Sequence, residues 1–188
     1  MENRKTIKFP SGDYYVSKNL YRTKGSHNQI ITEDNTLGNL EKDTVFYIVE
    51  RESKKYWVKE HITDLRSIEV EWETCAKHQY SRCYPDNSTF NTVKFFDKNE
   101  NAILMEYLEG YENLAQVSLN ALNKYKLCKM LYDFIEDTNL VEYDLSFNNV
   151  MLKINTNKID VKLIDFDVAC INLKKHGLEF IKKVWDVF

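Results

Sequence analysis

The sequence predicts an α+β fold in which strands dominate residues 28–107 and helices dominate residues 108–188. Up to Tyr107, short runs rich in Val, Ile, Tyr and Trp alternate with charged or polar turns, a pattern typical of an antiparallel sheet. Beyond that point, apolar residues recur at helical spacing over residues 118–138 and again near the C-terminus. Residues 1–27 are polar and rich in turn-forming residues, so we expect them to form an N-terminal extension.

The composition indicates a folded protein that binds neither nucleic acid nor a membrane. Of the 188 residues 43% are apolar, including 12 Tyr, 10 Phe and 3 Trp, which is enough for a sizeable core. The net charge is −3 with both signs interspersed, and no run approaches 18 apolar residues. The N-terminus lacks the apolar segment of a signal peptide, so we expect an intracellular, reducing compartment. Four cysteines without metal-ligand spacing are expected to be buried free thiols: Cys75, Cys83, Cys128 and Cys170.

The first strands are predicted over residues 44–49 and 56–59, separated by a charged turn over residues 50–55. Before them, residues 37–45 read as strand, turn and strand, entered through Leu37 and Gly38 and closed at Val45. Such an element is able to fold over a nucleotide, and Lys59 at the end of the following strand is able to reach its phosphates. A single glycine in a hairpin is weak evidence for this role, and by itself it indicates an ordinary turn.

A helix is predicted over residues 64–83, with Asp64 as its N-cap, because apolar residues recur at intervals of three and four. It contains Glu69, Glu71 and Glu73. Either one of these faces Lys59 or all three form a solvated acidic face. Two further strands over residues 91–96 and 102–107 complete the strand-rich part, and residues 104–110 pass from apolar to polar, as a linker between lobes does.

The helix over residues 118–138 has Ser118 as its expected cap and a core-facing apolar stripe. The stripe consists of Leu119, Leu122, Leu127, Met130, Leu131, Phe134 and Ile135. A final helix is indicated by Leu178, Ile181, Val184, Trp185 and Phe188. We expect this helix to cap the second lobe, and the alternative is a partner-binding helix.

Between these helices lie two acidic residues, Asp144 and Asp165, each next to a short apolar run, and Asn149 follows the first by five positions. Strands over residues 149–154 and 160–164, joined by a polar turn, predict a hairpin that fixes the separation of the acidic residues. This arrangement is expected for a site that binds a metal-bound polyphosphate. One carboxylate contacts the attacking hydroxyl, and an amide and a second carboxylate hold Mg²⁺.

In this order, the motifs from Leu37 to Ala169 resemble the protein-kinase fold, a bilobal fold with an antiparallel β N-lobe and, here, a truncated helical C-lobe. The resemblance places the N-lobe, a five-stranded sheet with one helix, at residues 28–107 and the C-lobe at residues 108–188. It implies that Leu37, Gly38 and Val45 cover the nucleotide, and that Lys59, oriented by Glu71 or alternatively Glu73, anchors ATP. It further implies a nucleotide-binding hinge with Met105, Glu106 and Leu108, a catalytic Asp144, and Mg²⁺ or Mn²⁺ at Asn149 and Asp165.

The sequence departs from the kinase pattern at several positions. Leu40 and Asp43 stand where a kinase has glycine, and Glu142 and Tyr143 replace the usual His and Arg. Ser146 replaces a lysine that steadies the transferred group, which removes part of the transition-state stabilisation. Asp167 adds a negative charge beside the metal position. We expect no activation segment and no substrate-docking helices.

Each of three groups of kinases resembles the chain in a different part of these departures. Tyr143-Asp144-Leu145 and the short C-lobe resemble the OspG and NleH effector kinases of enteric bacteria, some of which bind ubiquitin-loaded conjugating enzymes that raise activity. Asp144-Leu145-Ser146 with Asn149 resembles the RIO-type atypical kinases. Asp165-Phe166-Asp167 resembles the aminoglycoside and choline kinases, which are much longer.

These resemblances imply a minimal Ser/Thr-type protein kinase that binds Mg·ATP between its lobes, modifies a protein hydroxyl, and is delivered into a host cytosol if it is an effector. The expected partners are ATP and a protein substrate or host protein, with a ubiquitin-conjugating enzyme implied by resemblance alone. The alternative is a pseudokinase that works as a protein-binding scaffold, supported by the missing glycines and by Ser146. A small-molecule kinase of the aminoglycoside type ranks third.

Overall fold

The structure is a computed structural model, and it describes residues 5–31, 37–62, 66–138, 140, 143–156, 158–166 and 172–188. Side chains are described for the same residues except 21–31, 37–43, 66 and 67. The chain divides into two compact units. Met1–Trp72 and Lys94–Leu108 form unit 1, and Glu73–Val93 and Glu109–Phe188 form unit 2. No described helix is both long and apolar enough to span a membrane.

The described residues form eleven strands and three α-helices. In chain order these are β1 (Thr6–Phe9), β2 (Gly12–Ile31), β3 (Leu37–Arg51), β4 (Lys54–His61), α1 (Arg66–Lys77), β5 (Ser81–Cys83), β6 (Thr89–Thr92), β7 (Phe95–Lys98), β8 (Ala102–Glu106), β9 (Glu112–Asn113), α2 (Ala121–Asp137), β10 (Val150–Asn155), β11 (Lys158–Leu163) and α3 (Leu173–Val187). Unit 1 contains a six-stranded antiparallel sheet in the order β1-β2-β3-β4-β8-β7. Unit 2 contains a five-stranded sheet in the order β5-β6-β11-β10-β9, in which β6 and β11 run parallel.

The N-terminal residues belong to the sheet of unit 1. β1 pairs with β2, and β2 pairs with β3 from Tyr15 opposite Glu50 to Ile31 opposite Leu37. The sheet therefore has six strands, whereas the sequence predicts five strands and a separate extension over residues 1–27. The prediction missed β2 because only Tyr14 is buried among its described side chains, so the strand shows no apolar alternation.

The sheet of unit 1 curls until its two ends meet. The backbone N–H of Ser11, in the β1–β2 turn, donates to Asp97 Oδ2 of β7 at 2.7 Å. The Asn99 side chain, just after β7, donates to the Lys8 carbonyl of β1, also at 2.7 Å. The curled sheet encloses a hydrophobic cluster of Ile7, Phe9, Tyr14, Tyr47, Val49, Val58, Ala102 and Leu104. This cluster packs against one face of the central strands, and Lys59 lies on the opposite face.

The segment after residue 36 differs from the prediction of strand, turn and strand. β3 is a single strand from Leu37 to Arg51, and its first residues pair with Ile31 and Ile30 of β2. The pairing continues from Leu40 through Thr44, so the backbone groups of this stretch are used by a cross-strand ladder and no turn forms inside it. Residues 32–36 lie outside the described residues. The predicted charged turn after β3 is confirmed, with Glu52 and Ser53 both at positive φ in a two-residue hairpin loop.

Helix α1 is shorter than predicted. It ends at Lys77, where the Gln79 side chain donates to the Cys75 carbonyl, and residues 81–83 form β5 instead of a last helical turn. The predicted cap, Asp64, lies outside the described residues. The predicted strand over residues 91–96 is two strands, because Val93 donates to Leu163 between them and β6 and β7 join different sheets.

Unit 2 is built on an aromatic core between its sheet and α2. Phe134 of α2 contacts the rings of Tyr80, Phe90 and Tyr143, and Tyr143 in turn contacts Phe166. The predicted hairpin is confirmed as β10 and β11, which pair in register from Val150 opposite Leu163. The predicted cap Ser118 is wrong: Asn120 accepts from the Asn123 backbone N–H and begins α2. Leu122, assigned to the core stripe, is exposed.

Helix α3 exists as predicted, and of its predicted apolar stripe Val184 is buried and Ile181 and Phe188 are half-buried. Its buried residues are Leu173, Gly177, Phe180 and Val184, whereas Leu178 and Trp185 are exposed. Gly177 lies on the buried face, where a Cβ would lie 2.6 Å from Cδ1 of Ile135 in α2. The missing side chain therefore lets the two helices approach closely along this face.

The cysteines follow the prediction in part. Cys75 and Cys128 are buried free thiols, and burial raises the pKa of the Cys128 thiol. Cys83 is also free but exposed, because it ends the short outer strand β5. Cys170 lies outside the described residues.

Candidate functional site

In unit 1 the central feature is a buried ion pair between β4 and α1. Lys59 Nζ donates to Glu71 Oε2 at 2.8 Å, and the two side chains are 5% and 1% exposed. Glu73, the alternative partner, is exposed and pairs with Lys77 one helical turn away. The strand places the lysine on the α1 side of the sheet, and the helix supplies the carboxylate from its buried face. The structure therefore pairs Lys59 with Glu71.

His61 lies on the same face of β4 as Lys59, two residues further on, and sequence reasoning missed it. Its side chain is 1% exposed, and Nε2 lies 3.8 Å from Glu71 Oε2. Nε2 has no hydrogen-bond partner within the described part of the chain. The signal was present in the sequence, because residues two apart in a strand share a face.

The residues assigned to the hinge also lie in unit 1. Met105 and Leu108 are buried, and Met105 pairs with Trp57 of β4 and Phe95 of β7. Glu106 is held at the end of β8 by Lys94, since its backbone N–H donates to the Lys94 carbonyl and its carboxylate accepts from the Lys94 N–H.

The residues assigned to the nucleotide cover all lie on β3. Val45 is half-buried and pairs with Glu60, which places it next to the Phe46–Lys59 pair. Leu37 and Gly38 are the first two residues of the strand, and their side chains lie outside the described set. Val45 on β3 therefore lies near Lys59 on the neighbouring strand β4. Gly38 and Leu37 lie seven and eight residues before Val45 along β3.

Unit 2 holds the three polar residues around the β10–β11 hairpin. Asn149 Nδ2 donates to the Asp144 backbone carbonyl at 2.9 Å and lies 3.5 Å from its carboxylate. A carbonyl only accepts, so the amide nitrogen faces Asp144 and the amide oxygen faces away. Asn149 Oδ1 accepts no hydrogen bond from the described residues, which leaves it able to bind a cation.

Tyr143 joins the Asp144 segment to the Asp165 segment. Its hydroxyl donates to the Ile164 carbonyl at 2.6 Å, and the Ile164 N–H donates to the Asn149 carbonyl at 3.0 Å. The residue before Asp165 is therefore held from both sides. Asp165 itself has φ +65°, a left-handed conformation that non-glycine residues rarely adopt and that often occurs at functional sites. The contact between Tyr143 and Ile164 was not predicted from the sequence.

The donor set in unit 2 fits magnesium that arrives with a phosphate ligand. No group of three or more His, Cys, Asp or Glu side chains forms a metal cluster among the described residues. The donors are the half-buried Asp165 carboxylate and the amide oxygen of Asn149, and the half-buried Asp144 carboxylate lies beside Asn149. Mg²⁺ commonly takes one or two carboxylates and completes its shell with substrate phosphates and water. Glu142 and Asp167 lie outside the described residues.

Comparison with known proteins shows the fold. No protein-family model and no curated protein matches the chain. Among solved structures, it is similar to the Rio2 kinase from Chaetomium thermophilum, solved with ADP/Mg²⁺ and phosphoaspartate, with a TM-score of 0.56 and 14% identity. The match covers 88% of this chain and 56% of the Rio2 chain, so this chain spans little more than half the length of that kinase. The chain has an α+β, protein-kinase-like fold, and the likeness to the effector kinases stays a prediction.

Proposed function

We propose that the chain is an ATP-dependent phosphotransferase of the protein-kinase type that transfers the γ-phosphate to a Ser or Thr hydroxyl. The main support is the way Asn149 and Tyr143 connect the segments of Asp144 and Asp165 around one hairpin. The buried Lys59–Glu71 pair adds to it, because a fixed lysine is what a phosphate-anchoring role requires.

Each residue has a role in this proposal. Lys59, oriented by Glu71, contacts the nucleotide phosphates, and Asn149 with Asp165 holds Mg²⁺ or Mn²⁺. Asp144 accepts the proton of the attacking hydroxyl. The bound metal neutralises charge on the phosphates. Ser146 supplies no positive charge, so we expect slower transfer than in a kinase with lysine at this position.

The test uses Asp144→Asn and Asp165→Asn, with Asp186→Asn, an exposed carboxylate on α3, as the matched control. Thermal shift with Mg·ATP measures binding, and radiolabel transfer to the chain itself and to a Ser/Thr-rich protein measures activity. We expect Asp165→Asn to lose the metal-dependent shift, Asp144→Asn to keep the shift and lose transfer, and the control to keep both. Transfer that survives in Asp144→Asn would contradict the assigned base.

The chemistry of the acceptor is tested in the same experiment. The Rio2 structure contains a phosphoaspartate, so label on this chain is treated with hydroxylamine, which cleaves acyl phosphates and leaves phosphoserine intact. Label that survives supports transfer to a hydroxyl. Label that is lost favours a second candidate function, an ATPase that forms an aspartyl phosphate.

The non-catalytic alternative is a pseudokinase that binds a protein partner, either a host protein or a ubiquitin-conjugating enzyme. It is favoured by Leu40 and Asp43 in the positions of cover glycines and by the absence of lysine at position 146. Nucleotide binding without transfer, also after addition of a ubiquitin-loaded conjugating enzyme, would support this alternative over the kinase.

A further inference from the structure

His61 is a buried polar side chain beside the Lys59–Glu71 ion pair, and the proposed mechanism does not use it. Its side chain is 1% exposed, and Nε2 lies 3.8 Å from Glu71 Oε2, the same oxygen that accepts from Lys59 at 2.8 Å. Hydrogen bonds from a nitrogen donor to oxygen end at about 3.2 Å. Two side chains of β4 therefore converge on one carboxylate oxygen, and the lysine alone of these two donates to it.

The fold leaves Nε2 of His61 buried and without a hydrogen bond, as far as the described residues show. The backbone of the residue is held: its N–H donates to the Asn101 carbonyl at 2.7 Å, and it pairs with the buried Thr44 of β3. A buried polar group without a partner destabilises a folded protein, and an apolar side chain at this position would avoid that cost. The imidazole is therefore explained best by a state of the protein in which Nε2 is used.

A small movement brings Nε2 of His61 onto Glu71. Shortening the separation from 3.8 Å by about 0.9 Å gives an ordinary hydrogen bond, and a shift of this size lies within the reach of side-chain rotation. A carboxylate oxygen has two lone pairs, so Oε2 is able to accept from the lysine and the imidazole together. Nε2 donates in the imidazolium and in the neutral tautomer that carries its proton there, so this hydrogen bond does not require a charged ring.

A second donor to Glu71 is needed when Lys59 binds phosphate. In the proposed function the ammonium group of Lys59 turns its N–H groups toward an anion, so its attraction to Glu71 weakens. Glu71 is 1% exposed, and a buried carboxylate that loses part of its pairing is strongly disfavoured. A hydrogen bond from His61 to the same oxygen offsets that loss and keeps the carboxylate in position to orient the lysine.

We propose that His61 is a positioning residue that donates from Nε2 to Glu71 when Lys59 binds the phosphates of the nucleotide. This inference rests on the proposed function, since it assumes that Lys59 contacts phosphate. It extends that function by assigning Glu71 a second donor from β4. His61 acts through Glu71 and Lys59 and does not touch the nucleotide, so its removal lowers phosphate affinity and leaves the free protein stable.

The first experiment uses three replacements of His61 that differ in where they place a donor. Glutamine carries its amide nitrogen near the position of Nε2, asparagine reaches only to the position of Nδ1, and leucine has no donor. In isothermal titration with Mg·ADP, we expect His61→Leu and His61→Asn to bind about tenfold more weakly or worse, because a hydrogen bond to a charged group is lost, and His61→Gln to stay within about threefold of the parent.

Two controls accompany this titration. Mg·tripolyphosphate carries phosphates but no base, and its affinity should fall in the same variants by the same factor, because His61 acts through the phosphate-binding lysine. His176→Leu replaces an exposed histidine of α3 and should bind both ligands as the parent does.

Urea unfolding without nucleotide separates positioning from a structural role. Because no described residue bonds to Nε2, His61→Leu should be at least as stable as the parent. A structural histidine would instead lose stability on replacement by leucine, and the loss of affinity would follow the loss of stability. If His61→Leu does not fold, the comparison of His61→Gln with His61→Asn decides.

The second experiment observes the ring nitrogen directly. The chain has four histidines, and heteronuclear NMR spectra of their rings report which nitrogen carries a proton. His61→Gln identifies the resonances of His61 by their disappearance. Saturation of the parent with Mg·ADP should produce a downfield Nε2–H resonance of His61 that is protected from exchange with water. An unchanged His61 resonance in the saturated protein would overturn the inference.

The outcomes distinguish the inference from the function on which it rests. If Mg·ADP binds the parent and all His61 variants alike, the inference is wrong and the kinase proposal stands. If His61→Gln and His61→Asn bind equally, or if affinity falls only in parallel with stability, the assignment to Nε2 is wrong. If neither Mg·ADP nor Mg·tripolyphosphate binds the folded parent, both proposals fail. Weak binding by His61→Leu and His61→Asn, retained binding by His61→Gln and the new Nε2–H resonance together support the inference.

Discussion

The two units hold their proposed functional residues in opposite ways. In unit 1, Lys59 and Glu71 are side chains of regular elements, and their direct ion pair is almost fully buried. In unit 2, Asp144 and Asp165 lie in loops beside a hairpin and are half-buried. Their positions are set by hydrogen bonds to the backbone, from Asn149 to the Asp144 carbonyl and from Tyr143 to the Ile164 carbonyl.

This difference determines whether the loss of activity in a variant can be attributed to chemistry or to stability. Removing one member of a buried ion pair leaves a charge in an apolar environment and destabilises the fold. Removing a half-buried loop carboxylate changes the local chemistry and leaves the backbone contacts in place. An inactive Lys59 variant is therefore ambiguous between lost stability and lost chemistry. The sharper tests of function lie in unit 2.

The largest expected effect is in unit 1. Glu71→Ala should lower the free energy of unfolding by about 3–5 kcal/mol, because it removes the carboxylate to which buried Lys59 donates. Urea unfolding followed by circular dichroism measures the change. Glu73→Ala, on the exposed face of the same helix, is the control and should cost less than about 1 kcal/mol. Equal stability of the two variants would show that the ion pair does not hold the helix to the sheet.

The next effect concerns the connection inside unit 2. Tyr143→Phe should destabilise the protein by about 0.5–1.5 kcal/mol, because the half-buried Ile164 carbonyl loses the hydroxyl that donates to it. The same variant should weaken metal-dependent nucleotide binding, since Ile164 precedes Asp165. Tyr132→Phe, an exposed tyrosine of α2, is the control. If stability changes but metal-dependent nucleotide binding does not, Tyr143 contributes only to the stability of the fold.

The third prediction concerns the loop carboxylates. Asp144→Asn and Asp165→Asn should change stability by less than about 1 kcal/mol, while phosphotransfer falls at least about a hundredfold. Asparagine is the right replacement at position 165, because it tolerates the left-handed backbone that Asp165 adopts. Asp165→Ala should cost about 1 kcal/mol more. Large destabilisation by either asparagine variant would remove the contrast between the two units.

The smallest effect is expected from an ion pair in unit 2 whose carboxylate, Asp86, is exposed. The hydrogen bond from Lys126 lowers the pKa of Asp86 from 3.8 to about 2. The carboxylate is depressed in the folded state, so its stabilisation is present above pH 3.8 and disappears as the pH falls through 2. Because the pair is at the surface, Asp86→Asn should cost no more than about 1 kcal/mol. Urea unfolding at pH 6 and pH 2.5 should show this difference in full at the higher pH and a clearly reduced difference at the lower.

Much of unit 2 was predictable from the sequence, and less of unit 1. The β10–β11 hairpin followed from alternating apolar residues around a polar turn, and the spacing of Asp144, Asn149 and Asp165 followed with it. In unit 1, the partner of Lys59 was ambiguous between Glu71 and Glu73, because both lie on one short helix and only packing selects the buried one. β2 was not predicted because its own composition does not indicate a strand. It forms a strand because it pairs along its length with β3.

The sequence by itself determined the α+β class, the order of the motifs and the residue types available for phosphate and metal chemistry, because these depend on local periodicity and on spacing along the chain. Only the tertiary structure decided the burial of Lys59 and Glu71, the role of Tyr143 and the buried face of α3. It also placed Trp57 beside Met105. Those features depend on contacts between residues far apart in the chain, and such contacts are selected by packing of whole elements and leave no local pattern.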